Sequence, residues 1–186
     1  MTTSTNPPQE RYHRVIISLH WFMLVLLIAV YACIELREFF PKGSDPRKAL
    51  KMWHFMLGLS VLALVIVRLT FRLRHGSPAI VPTPPALQQK IASIMHVLLY
   101  ALMLGMPLAG WMILSAEGNV IPFFGLELPA LIAPDKELAK QLEEMHTTFG
   151  KVGYFLIGLH ALAGIYHHYF VKDNTLKRMM PAPVEK

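Results

Sequence analysis

The chain carries nine histidines, and five of them (His20, His54, His96, His146 and His160) fall within or at the mouths of strongly apolar segments. An ionisable ring costs free energy in such surroundings, so its presence there points to a use. The neutral imidazole is the commonest metal ligand among side chains, and the same ring carries protons near neutral pH. The stretch "HTTFGKVGYFLIGLH", residues 146 to 160, has a histidine at each end. On an α-helix that spacing turns the two rings to within about 40° of each other and separates them by about 21 Å along the axis. One helix then presents two stacked ligands to a single interior.

The elements able to hold these rings are four apolar runs, at 15–36, 52–73, 91–114 and 149–170. The last is entered from His146, so its helix is read as 146–170. Each run has the roughly 20 residues needed to cross a hydrocarbon core of about 30 Å. Each is bounded by charge, proline or glycine, and none contains a mid-span Lys, Asp or Glu. With 54% hydrophobic and 16% charged residues, the composition excludes an ordinary soluble domain. The prediction is an all-α integral membrane protein, an up-down-up-down four-helix bundle that forms one domain over 1–186. The first run is too long for a cleavable signal peptide, holds His20 and Trp21, and is followed by no small-residue cleavage site.

The connections carry their own signals. Residues 76–85, "GSPAIVPTPP", predict a stiff extended strap between the second and third helices. Residues 116–134 read as irregular, and Asp135 as the N-cap of a polar helix, "KELAKQLEEM", leading into helix four. Of the 18 Lys and Arg residues, ten lie on the side of the two termini and eight on the other, a slight bias that places both termini in the cytoplasm. The opposite face is itself basic, with Arg37, Lys42, Arg47, Lys48 and Lys51 in the first connection.

With this topology His54, at the start of helix two, is level with His146, and His20 inside helix one is level with His160. Two pairs at two depths suggest two six-coordinate haems, each clamped between neutral imidazoles. Cys33 is the sole cysteine and there is no C-x-x-C-H, so the haems are non-covalent, b-type groups. Gly58, Gly150 and Gly164 each follow a paired histidine by four residues, on its face of the helix, and would leave room for a macrocycle. The bland reading is that small residues merely let helices pack closely. His96 enters helix three about as deep as His20 enters helix one and could replace either member of the cytoplasmic pair. Spacing does not settle the choice, although the residues taken together favour His20 with His160. His13 and His75 read as interfacial residues, and so, on position alone, do His167 and His168.

The segments "ISLHWF", "MWHFMLGLSVLALVIVRL", "MHVLLYALMLGMPLAGW" and "HTTFGKVGYFLIGLHALAGIYHHYF", followed by "KDNTLKRMMP", resemble the bacterial cytochrome b561 family over nearly the whole chain after its first ten residues. The resemblance implies a di-haem cytochrome of the bacterial inner membrane. It assigns the iron ligands as His20 with His160 on the cytoplasmic side and His54 with His146 on the periplasmic side. The similarity is strongest to members that pass electrons from superoxide to ubiquinone. On that reading, Arg37, Lys42, Arg47, Lys48 and Lys51 would steer the superoxide anion, and His96, His167 and His168 are candidates for the quinone site. The expected partners are membrane lipid, ubiquinone and superoxide, with no nucleic acid. The rival reading is a membrane anchor and electron relay for a separate dehydrogenase or hydrogenase, docked on the outer face. The 116–145 segment and the N-terminal tail depart most from the family pattern, which bears on that outer surface rather than on the haems.

Overall fold

The computed structural model describes residues 11–181. Lys186, counted above with the C-terminal charges, lies outside the described residues, as does the tail before Arg11. Four long helices dominate: α1 (Arg14–Leu36), α2 (Asp45–His75), α3 (Ala86–Ala116) and α4 (Lys136–Tyr166). All four are long and apolar enough to cross a membrane. The chain is a multi-pass membrane protein.

The helices overrun the apolar runs because capping, not the edge of hydrophobicity, ends a helix. The three later helices have 31 residues each, about 46 Å of axis against a hydrocarbon core of about 30 Å. Asp135 is the N-cap expected from sequence, its carboxylate accepting from the backbone N–H groups of Glu137 and Leu138. The polar stretch behind it and the apolar span form one continuous rod. At the other end α4 stops at Tyr166 and widens into a π-turn, His167–Val171, closed by Lys172 in the left-handed region (φ 60°). Gly76, also at positive φ, ends α2.

Two connections differ from expectation. Residues 116–134 are not wholly irregular: β1 (Ile121–Phe123) pairs antiparallel with β2 (Leu126–Leu128) across a tight turn in which Phe124 and Gly125 both have positive φ. Ile121 anchors this hairpin among Leu59 and Leu114. Residues 76–85 are extended, as the prolines require, and the C-terminal segment ties them down. Asn174 bonds to Val81 in both directions and donates to the Ala79 carbonyl. The Trp21 indole N–H donates to the Met179 carbonyl at 2.7 Å, which brings the same segment across the start of α1.

Packing follows chain order. Met23 and Leu26 of α1 bury against Val61 and Val65 of α2, with Tyr100, Met103 and Leu104 of α3 around them. The packing of α4 is chiefly along α3. Across the remaining seam, between α4 and the α1–α2 pair, the contacts are specific polar and aromatic ones.

Candidate functional site

That seam holds the histidines. His54 on α2 faces His146 on α4 with ring centres 6.2 Å apart and planes at 77°. His20 on α1 faces His160 on α4 with the same separation, 6.2 Å, and the same angle, 77°. Two metal–imidazole bonds of about 2.0–2.1 Å, with about 1.1 Å from each bonded nitrogen to its ring centre, span about 6.2–6.4 Å. Both pairs therefore stand at the distance of two rings sharing one metal atom between them. His96 on α3 lies nearer, its ring centre 5.4 Å from that of His160, short of that span by about 0.8 Å.

One ring of the four has its orientation fixed by a hydrogen bond to a neighbouring helix. The Nδ1–H of His54 donates to the Val30 carbonyl of α1 at 3.0 Å. A carbonyl can only accept, so the lone pair is left on Nε2, the nitrogen free to bind a metal. His146 has its Nδ1 buried towards the Met106 carbonyl without a hydrogen bond of normal geometry. Its ring rests beside Gly110 of α3: a Cβ there would come within 3.5 Å of Cε1. Gly110 was not singled out from the sequence, because only the crossing of α3 and α4 brings it to His146.

The three glycines picked by register divide. A Cβ at Gly58 or Gly164 would meet nothing within 4 Å, whereas one at Gly150 would touch Met106 at 3.6 Å. The open space beside two of the three, the bare seam along α4 and the 6.2 Å ring pairs fit a flat macrocycle at each level.

Two tyrosines also went unnoticed. The Tyr31 hydroxyl donates to the Gly150 carbonyl at 3.0 Å, and the Tyr154 hydroxyl to Glu35 at 2.8 Å, bracing α1 against α4 near the His54/His146 pair. Their rings are 4.3 Å apart. Nothing in the period of either helix marks them, since each is simply an amphipathic ring in an apolar run.

On the face of the first connection the five basic residues are unequal. Arg47 donates to the carbonyls of Arg37 and Phe40 and to both oxygens of Glu38, clamping the connection shut. Arg37 shares the same carboxylate. Lys48 lies 3.7 Å from Asp45, and Lys51 sits 5.5 Å from the Phe55 ring centre. Lys42 is exposed in the turn before α2.

On the opposite face His167 is part of a network. Its Nδ1–H donates to Asp173 at 2.5 Å, and its Nε2 is 2.9 Å from the Gln88 side-chain amide of α3. The π-turn and the left-handed Lys172 fold Asp173 back beneath the ring. Burial pushes the Asp173 carboxyl up, but hydrogen bonds from His167 and Thr175 outweigh it and hold the group below the usual carboxylate range. His168 is half-buried with its Nδ1 unpartnered among the described residues. His96 donates its Nδ1–H to the Ala92 carbonyl at 2.7 Å.

Paired imidazoles at two depths of a four-helix membrane bundle define an electron carrier rather than a transporter, which would show broken helices around a substrate. The comparisons agree: the chain belongs to the prokaryotic cytochrome b561 family, whose model matches residues 11–182. It is thus a membrane electron-transfer protein of a family that binds b-type haem. It is 40% identical to cytochrome b561 homolog 1 of Escherichia coli over 172 residues, covering 92% of this chain and 98% of that one. It is 39% identical, over 92% of this chain and 97% of the relative, to the probable superoxide oxidase CybB of Yersinia pestis. Cytochrome b561 homolog 2 of Escherichia coli is 25% identical over 95% of this chain and 94% of its own length.

Proposed function

We propose that the protein oxidises superoxide at the outer face of the bacterial inner membrane and reduces ubiquinone at the cytoplasmic face, with both termini cytoplasmic. The observation that carries this reading is the pair of equal histidine clamps, stacked on one helix. His54 with His146, and His20 with His160, would each hold one b haem between their rings. Haem supplies a one-electron centre when bound, and two of them match a donor of single electrons to an acceptor of two. The overall conversion takes two superoxide anions, one quinone and two protons to two dioxygen molecules and one quinol.

The chain's own residues supply the rest. Lys42, in the turn before α2, and Lys48 and Lys51, in its first turns ahead of His54, raise the local concentration of a small anion. Arg37 and Arg47 hold that connection in shape through Glu38. At the cytoplasmic end His167, held by Asp173, can give a proton to a quinone oxygen and recover one from water. His96 and His168 flank the same end of the bundle.

A docked redox subunit has one observation on its side. The hairpin between α3 and α4 presents Phe124 and Leu126 at 54% and 64% exposure. Purified protein supplied with enzymatically generated superoxide and a short-chain ubiquinone decides between the readings. Quinol formation and dioxygen release above the uncatalysed rate are the expected results. Haems that superoxide leaves oxidised, but that a co-purifying dehydrogenase reduces, would favour the relay.

A further inference from the structure

Three guanidinium groups gather at the cytoplasmic end of the bundle with little negative charge to balance them. Arg68 lies within α2, seven residues before its end, so about 10 Å inside the helix. Through Tyr100 it reaches α3 one turn from His96, whose ring centre is 5.4 Å from that of His160. One terminal nitrogen donates to the Tyr100 hydroxyl at 2.8 Å, while Nε is buried without a partner. Arg178 is 7% exposed, donates to the Pro78 carbonyl, and also leaves its Nε buried and unpartnered. Arg72 and Arg178 both lie against the Tyr12 ring, at 5.2 and 5.6 Å from its centre. The nearby carboxylate, Asp173, is committed to His167 and Thr175. Among the described residues none of the three arginines has an acidic ion-pair partner.

Cations withdrawn from water without a counter-charge are costly. A group that brings two carboxylates to this place meets the need. We propose that Arg68, with Arg72 and Arg178 behind it, receives the propionate carboxylates of the haem held by His20 and His160. The fork of a guanidinium matches a carboxylate in two parallel hydrogen bonds, and the Tyr100 hydroxyl fixes the plane of the fork. Arg68 thereby sets the direction of that haem in its slot and favours its reduced state, since the ion pair neutralises a propionate charge that would otherwise stabilise ferric iron. The inference rests on His20 and His160 holding a haem, and failure of that premise shows separately as a wild-type chain with one haem.

The test is a redox titration that resolves the two haems in the wild type, Arg68→Gln and Arg178→Gln. Each is prepared with ordinary haem and with haem whose propionates are methyl esters. With ordinary haem, Arg68→Gln should lower the reduced-to-oxidised ratio of the His20/His160 haem about tenfold at fixed potential, which is 59 mV for one electron. Arg178→Gln should act in the same direction and less strongly, and serves if the first variant does not fold. The propionate bending bands in the resonance Raman spectrum should shift in both. With the ester haem, wild type and variants should titrate alike. Equal lowering with both haems would overturn the contact in favour of charge acting at a distance. A shift that appears only with anionic lipid present would place a lipid phosphate on the arginines instead.

Discussion

Replacing one ring of the outer clamp tests the site most directly. His54 and His146 come from different helices, yet their ring centres stand 6.2 Å apart, so a metal atom between them needs both. His54→Ala and His146→Ala should each remove about one of two haems per chain, and the same one. The double variant should lose no more than either single, because groups that act on one unit are not additive. The inner clamp sits about 21 Å further along α4, so its haem should keep its absorption and its midpoint nearly unchanged. Pyridine haemochrome content, read against protein concentration, gives the stoichiometry, and redox titration identifies which haem remains. If the two single variants lose different haems, or the wild type holds only one, the pairing deduced from ring spacing is wrong. Gly110→Leu offers a second handle, since the site of its Cβ is 3.5 Å from the His146 ring. It should weaken the same haem without touching a ligand.

Other outcomes follow from the two faces. Reversing Lys42, Lys48 and Lys51 together should slow reduction by superoxide about tenfold, and added salt should slow the wild type, as exposed charges are screened over about 8 Å at physiological ionic strength; a rate indifferent to both would leave these lysines as a solvated rim. Arg47→Ala should act differently, lowering the temperature of haem release by loss of about 1–2 kcal/mol of hydrogen bonding rather than by a change in salt dependence. His167→Ala should slow quinone reduction about a hundredfold while haem reduction by superoxide stays normal, and Asp173→Asn should fall between the two; unimpaired quinone turnover in His167→Ala, in His96→Ala and in the double variant would place the site elsewhere. Because the Asp173 carboxyl is held below its ordinary range, the stability it lends is complete above the unfolded value of about 3.9 and is lost as pH falls through the lower folded value. Acid destabilisation of the wild type, followed by haem release, should therefore set in as pH falls through the value for free aspartate, and Asp173→Asn should remove that component.

Much of this protein is legible in its residues alone, for a physical reason. A hydrocarbon core leaves the backbone no hydrogen-bond partner but itself, so apolar runs of about 20 residues specify helices and their number without tertiary information. The two histidines on α4 share a face because a helix has a fixed period, and their depth follows from its fixed rise. Asp135 announces the start of α4 by its own side-chain chemistry. The hairpin at residues 121–128 escaped because its turn uses Phe124 and Gly125, not a pair whose side chains advertise positive φ. What the linear chain does not contain is distance between helices. The separation of 6.2 Å for His20 and 5.4 Å for His96, both from His160, arises from how α1 and α3 lie against α4. The fold of Asp173 under His167, the clamp of Arg47 on Glu38 and the unpaired arginines around Tyr12 depend likewise on loops closing over helix ends. Local periodicity specifies which face a residue occupies, and only the packing of one rod on another decides what that face meets.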